Sequence, residues 1–143
     1  MITIIMAAYN GQEYINEQLE SIKNQTYRDW RLVVRDDGSS DKTVDILKKF
    51  AKEVEQEVII KVNEEPSGSA KRNFARLLQD VQNSSYVMFT DQDDIWKKDK
   101  IEVTYNAMLD AEKKYGSKTP ILVHGDVEVI DGSGNVLAES MFN

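Results

Sequence analysis

The sequence predicts an α/β fold built on a mainly parallel sheet. Three observations carry this. Short apolar runs alternate with segments of helical periodicity. The first run, Ile2 to Ala8, is apolar throughout, as in a strand covered on both faces. The apolar runs end in polar turns, at Tyr9-Asn10, Asp36-Asp37 and Asp91 to Asp94.

After the first strand, Asn10-Gly11 breaks the chain, and Ile15, Leu19 and Ile22 recur at helical spacing. Trp30 to Arg35 reads as a second strand, closed by Asp36-Asp37-Gly38-Ser39-Ser40. Asp41 is placed as the N-cap of a helix carrying Val44, Leu47, Ala51 and Val54. Val58 to Val62 forms a third strand, and Pro66 and Gly68 lead into a helix with Phe74, Leu77, Leu78 and Val81 on one face. Tyr86 to Thr90 is the fourth strand. A helix starting near Trp96 follows, with Ile101, Tyr105 and Met108 on one face. Ile121 to His124 reads as a fifth strand. Val127 to Ile130 and Val136-Leu137 make a hairpin around Asp131-Gly132-Ser133-Gly134-Asn135.

The net charge of −7, from 18 basic and 25 acidic residues, argues against a nucleic-acid surface, which needs a basic face. It also predicts that an acidic ligand needs a bridging cation, local basic side chains or backbone N–H donors. No cysteine is present, which excludes disulfides, thiolate metal sites and cysteine catalysis and fits a cytosolic protein. The apolar start is too short to span a membrane and lacks the basic region and cleavage site of a signal peptide. Dinucleotide-binding and phosphate-binding glycine loops and the Gly-x-Ser-x-Gly elbow are also absent.

In parallel α/β sheets ligands bind beyond the carboxyl ends of the strands, which directs attention to the three polar turns. Asp91, Asp93 and Asp94 place three carboxylates within four residues. Such mutual repulsion is relieved by a hard divalent cation, Mg²⁺ or Mn²⁺, although the same residues would serve as helix caps. Asp36 and Asp37 at a strand tip can accept from a base N–H or ribose hydroxyls, or simply build a turn. Lys71 and Arg72 stand at a helix start, against the macrodipole, where a phosphate or base would favour them; a solvated face is the alternative. Tyr9 can stack on a planar base or be a half-buried aromatic. His124, the only histidine, is assigned a structural role.

Taken in order, these segments resemble the inverting family 2 glycosyltransferases of GT-A fold. Ile4 to Asn10 resembles that family's first strand and nucleotide loop, and Gln25 to Trp30 its bridge to the second strand. Val34 to Asp41 is similar to its acidic turn, Ser67-Gly68 with Arg72-Asn73 to its third-helix entry, and Phe89 to Trp96 to its Asp-x-Asp motif. The resemblance implies a three-layer, Rossmann-like α/β/α domain over residues 1–143 with a C-terminal hairpin. It implies nucleotide binding by Ala7 (through its backbone), Tyr9, Asp36, Asp37, Arg72 and Asp91. It also implies a Mn²⁺ or Mg²⁺ ion on Asp93. The expected donor is a UDP- or dTDP-sugar. The expected acceptor is a saccharide or lipid-linked saccharide of a bacterial surface polysaccharide, met in the cytoplasm or at the inner face of the membrane. The general base finds no counterpart, and the domain is expected to stop before its acceptor half.

Two rival classes make different demands. A non-catalytic receiver-like nucleotide module would carry its acidic pair after the first strand. A sugar nucleotidyltransferase would carry a glycine-rich loop with Arg and Lys there. Asn10-Gly11-Gln12-Glu13 meets neither demand.

Overall fold

A computed structural model describes residues 1–142. The chain forms two compact units, Met1–Asp99 and a smaller one that begins at Lys100. In the first, strands β1 (Ile2–Ala8), β2 (Trp30–Asp36), β3 (Val58–Val62) and β4 (Val87–Asp91) form one sheet in the order β3-β2-β1-β4, every pairing parallel. Helices α1 (Ile15–Lys23), α2 (Thr43–Glu53) and α3 (Ala70–Asp80) connect them.

The layering follows from this order. From β1 to β2 to β3 the chain steps one way across the sheet, and α3 then carries it back past β1 to β4. Right-handed crossovers therefore put α1 and α2 on one face and α3 on the other. The contacts agree. Leu77 of α3 and Val81 at its C-terminal cap pack on Ile5, Ala7 and Val33, while α1 meets α2. Covered on both faces, β1 is buried at all seven positions, which is why it is apolar throughout.

The direction of winding reverses between β1 and β4, and this topological switch point is where such sheets bind ligands. Register places Ala8 beside Asp36 and Ala7 beside Asp91, so the acidic strand ends flank the end of β1.

Several details differ from the sequence reading. The long helix α4 (Lys100–Tyr115) starts four residues after Trp96. The backbone before it is held elsewhere: Trp96 N–H donates to Ser21 Oγ, and the Lys97 and Lys98 carbonyls accept from Gln25 Nε2 and Thr26 N–H. Asp41 does not cap α2, because Lys42 holds the cap position; its carboxylate accepts instead from Thr43 N–H and Gln12 N–H. Leu78 is 43% exposed, and Asn73 is buried beside Leu77 on the α3 stripe. Ile121 to His124 forms no strand: these residues join no ladder, and strand geometry persists only through cross-strand hydrogen bonds.

The hairpin of the second unit does form, from β5 (Val129–Ile130) and β6 (Val136–Ala138). The Asp131 carboxylate accepts from the Ser133 and Asn135 N–H groups, and Gly134 sits at φ +81°. His124 rests edge-on against Phe142 with ring centroids 6.3 Å apart. Among the described residues no helix is long and apolar enough to cross a membrane.

Candidate functional site

A cavity of about 460 Å³ opens at the switch point. The end of β1 contributes Ala7, Ala8 and Tyr9, and the residue after β2 contributes Asp37. The entry to α3 supplies Pro66, Gly68 to Ala70 and Asn73, and the end of β4 supplies Asp91, Gln92 and Asp93. Of the residues singled out in the sequence, Ala7, Tyr9, Asp37, Asp91 and Asp93 meet here. Asp36 and Arg72 do not line the cavity.

The loops after β1 and β2 are stitched together. Asn10 takes a left-handed conformation, φ +46°, which Asn tolerates better than most residues. Its side-chain oxygen accepts from Ser40 N–H and its own N–H donates to Ser39 Oγ. Gly11 N–H donates to the hydroxyl of fully buried Thr43. Tyr9 beside this stitching is 55% exposed and lines the cavity.

The two acidic residues after β2 have different jobs. Asp36 is fully buried, and its carboxylate accepts from Gly38 N–H, Ser39 N–H and the Ser39 hydroxyl. It builds the turn, so direct contact with a nucleotide, as the resemblance implies for it, does not fit its position.

Asp37 is 7% exposed. Its Oδ1 accepts from Asn63 Nδ2 and Ser67 N–H, both at 2.6 Å, and its Oδ2 from Ser67 Oγ at 2.9 Å and Gly68 N–H at 3.3 Å. Burial pushes this carboxyl up, but the hydrogen bonds from Ser67, Asn63 and Gly68 outweigh it and hold the pKa below the usual carboxylate range.

Asn63 escaped the sequence reading, and Asn73 entered it only as part of the third-helix entry, with no role assigned. Asn63 Oδ1 accepts from Arg35 Nη1 at 2.8 Å, and its Nδ2 donates to both Asp37 and Asn73 Oδ1. Asn73 Nδ2 donates to the Arg35 carbonyl. Arg35 is in turn held by Asp80, which also pairs with Lys61. The available signal was a polar residue, Asn73, four positions before Leu77 on a buried helical stripe.

Asp91 is exposed as the last residue of β4, and Asp93 and Asp94 are exposed in the loop that follows, six or more residues ahead of α4, so neither of these two caps a helix. Burial pushes the Asp91 carboxyl above its ordinary range, and the charges of Asp94 and Asp93 push it further. Gln92, between the carboxylates, turns its amide to the β1 loop: Oε1 accepts from Tyr9 N–H and Nε2 donates to the Tyr9 carbonyl, both at 2.9 Å.

Among the described residues no three His, Cys, Asp or Glu side chains converge as a ready metal cage. The donor set is nonetheless all oxygen, repulsive and open to the cavity. This fits a Mg²⁺- or Mn²⁺-type ion held by one or two carboxylates and completed by ligand phosphates. Arg72 is exposed outside the cavity lining, with Nη1 donating to the Ser67 carbonyl at 3.3 Å and its N–H to the capping Ser69 hydroxyl.

A family model described as Glycosyl transferase family 2 matches residues 3–120. The dTDP-rhamnosyl transferase RfbG of Shigella flexneri is 42% identical over 106 residues, 73% of this chain and 37% of that protein. Among solved structures, S. aureus TarS 1-349 in complex with UDP-GlcNAc superimposes with TM-score 0.62 at 29% identity, over 78% of this chain and 31% of that one. A mannosyltransferase from Pyrobaculum calidifontis in complex with GDP-Man and Mn²⁺ gives TM-score 0.59 at 28% identity, over 66% of this chain and 28% of that one. The chain spans well under half the length of each of these three proteins. Sequence match and sheet topology agree: the chain belongs to glycosyl transferase family 2 and has the α/β architecture of its GT-A neighbours.

Proposed function

We propose that the switch-point cavity binds a nucleotide-diphosphate sugar, a UDP- or dTDP-sugar, as donor for inverting transfer to a saccharide or lipid-linked saccharide in bacterial surface polysaccharide synthesis. The observation that carries this reading is the meeting of an exposed aromatic ring, a buried charged carboxylate and an open acidic loop in one cavity. These suit, respectively, a base face, a base edge and a diphosphate with its counter-ion. The names of the relatives support it, since they describe dTDP-rhamnosyl transfer and complexes with UDP-GlcNAc and GDP-Man.

In this reading Tyr9 stacks on the base, the Ala7 backbone flanks it, and Asp37 accepts from its edge. Asp36 serves only by shaping the turn that presents Asp37. Asp91 sits by the ribose and donor sugar. Asp93 supplies an oxygen ligand to Mn²⁺ or Mg²⁺, which when bound neutralises the departing diphosphate. Arg72 contacts the nucleotide from the α3 entry, once released from Ser67.

The acceptor oxygen bonds to the anomeric carbon on the face opposite the diphosphate, the carbon–diphosphate bond breaks, and the acceptor proton passes to a carboxylate base. Asp126 is a poor base: its carboxylate accepts from the Ser140 hydroxyl and from Met141 and Val127 N–H groups, which hold its pKa low. We place the base in the part of the relatives' length that this chain does not span, with the lipid-linked acceptor presented at the cytoplasmic face of the membrane.

The test is calorimetric titration of UDP and dTDP with Mn²⁺ and again in excess chelator. The expected result is binding about tenfold tighter with metal, roughly 1.4 kcal/mol of coupling, abolished by Asp93→Ala. Equal affinity in chelator would sink the metal assignment, and no binding in either condition would sink the donor site.

A further inference from the structure

Resting on the donor-site reading above, we infer that Asn63, oriented by Arg35, is a positioning residue for base selectivity: by filling Oδ1 of Asp37 it leaves only Oδ2 for a base, and so favours uracil and thymine.

The family does not settle the base. One neighbouring structure holds UDP-GlcNAc and another GDP-Man. Something local must choose.

The two oxygens of Asp37 differ in slack. An ionised carboxylate only accepts, with about four lone-pair sites. Oδ1 carries two short hydrogen bonds at 2.6 Å, from Asn63 Nδ2 and Ser67 N–H, and has no room for a third. Oδ2 is held loosely. Its contact with Gly68 N–H is long, 3.3 Å. Its other partner, the Ser67 hydroxyl, has one proton and two acceptors within reach, Asp37 Oδ2 at 2.9 Å and the Ser69 carbonyl at 3.0 Å. Turning that proton to Ser69 frees a lone pair on Oδ2 without breaking the loop. Gly68, the partner with the weak bond, itself lines the cavity.

Asn63 cannot turn over to release Oδ1. Its own oxygen accepts from Arg35 Nη1 at 2.8 Å, and its amide nitrogen also serves Asn73 Oδ1 at 3.2 Å. Arg35 is anchored by Asp80 at 2.6 Å. The cluster is buried: Asn63 is 6% exposed and Asn73 1%. A flip would set oxygen against carboxylate and bury two unpaired groups.

A carboxylate with one open acceptor matches a base edge with one N–H between carbonyls, the imide of uracil and thymine. Guanine presents two adjacent donors and needs two open oxygens. Cytosine and adenine present a ring nitrogen lone pair, which a carboxylate repels.

The test is calorimetric titration of this chain with UDP, dTDP, GDP and CDP in Mn²⁺. UDP and dTDP are expected to bind at least about tenfold more tightly than GDP or CDP. Asn63→Ala opens Oδ1, and the UDP-to-GDP affinity ratio is expected to fall by about tenfold. Arg35→Lys keeps a cation for Asp80 but not the fork that holds Asn63. It should shift the ratio the same way, and it stands in if Asn63→Ala does not fold. A purely structural role would weaken all four nucleotides alike and leave the ratio unchanged, which would overturn the inference. So would a wild-type preference for GDP, or equal affinity for all four. Absence of any binding would overturn the donor-site reading itself.

Discussion

The side-chain amide of Gln92 makes a two-way hydrogen-bonded bridge to the backbone of Tyr9, accepting from its N–H and donating to its carbonyl. The bridge fastens the acidic loop after β4 to the loop after β1, and so sets the spacing of diphosphate side and base side of the cavity. It has a steric condition. A Cβ added at Gly11 would lie 2.2 Å from Gln92 Oε1. Any side chain at position 11 must therefore displace the Gln92 amide from the bridge.

This arrangement predicts non-additivity. Gly11→Ala should cost about 1 kcal/mol by forcing the flexible Gln92 side chain aside and breaking its hydrogen bonds to Tyr9. Gln92→Ala loses the two hydrogen bonds to Tyr9 and should weaken nucleotide binding. In the double variant the added methyl meets no amide, so the two stability losses should sum to less than their separate values. Strict additivity in urea unfolding would show that Gly11 and Gln92 are not coupled.

Asp37 joins stability and binding in one group. From sequence a strand-tip carboxylate could be replaced at little structural cost. With four donors on a buried carboxylate, Asp37→Ala leaves Asn63 and the Ser67 and Gly68 N–H groups without their acceptor. We expect a loss of about 2–4 kcal/mol together with loss of nucleotide binding. A variant that binds poorly yet melts at the wild-type temperature would contradict this.

The pH dependence has a definite sign. The pKa of Asp80 is lowered: burial pushes it up, but hydrogen bonds and charge from Lys61 and Arg35 prevail. The stabilisation is thus fully present above the unfolded-state value, about 3.9, and is lost as pH falls through the lower folded-state value. Asp80→Asn should cost about 2 kcal/mol at neutral pH and flatten the acid side of the stability profile. Parallel wild-type and variant curves below pH ~4 would show that Asp80 does not drive the acid transition.

Asp91 has the opposite sign. Its folded-state pKa is raised by burial and by Asp94 and Asp93, so its charge opposes folding above that value and the penalty fades as pH falls through it. Asp91→Asn should raise the melting temperature at neutral pH while weakening metal-dependent nucleotide binding, as expected where function holds like charges together. A lower melting temperature for Asp91→Asn would refute the strain.

Much of this protein is readable without coordinates because its elements are set by local pattern. Ile2–Ala8 and Val58–Val62 form strands with the bounds their apolar runs predict, and α1 starts at Ile15 where the periodicity starts. The three polar turns stand at the carboxyl ends of the strands, where a parallel sheet of this kind binds its ligands. Tertiary structure alone decided what each polar residue there does. Asp36 and Asp37 are neighbours of identical chemistry, yet one folds back on its own turn and the other reaches across to Ser67, thirty positions on. Asn63 and Gln92 carry no local signature, because their partners lie up to 83 positions away. Ile121 to His124 has strand composition but no ladder, and composition cannot provide a partner. Hydrophobic periodicity is a property of a segment. Hydrogen-bond pairing belongs to two segments at once, and only the packed sheet brings them within 3 Å or so of each other.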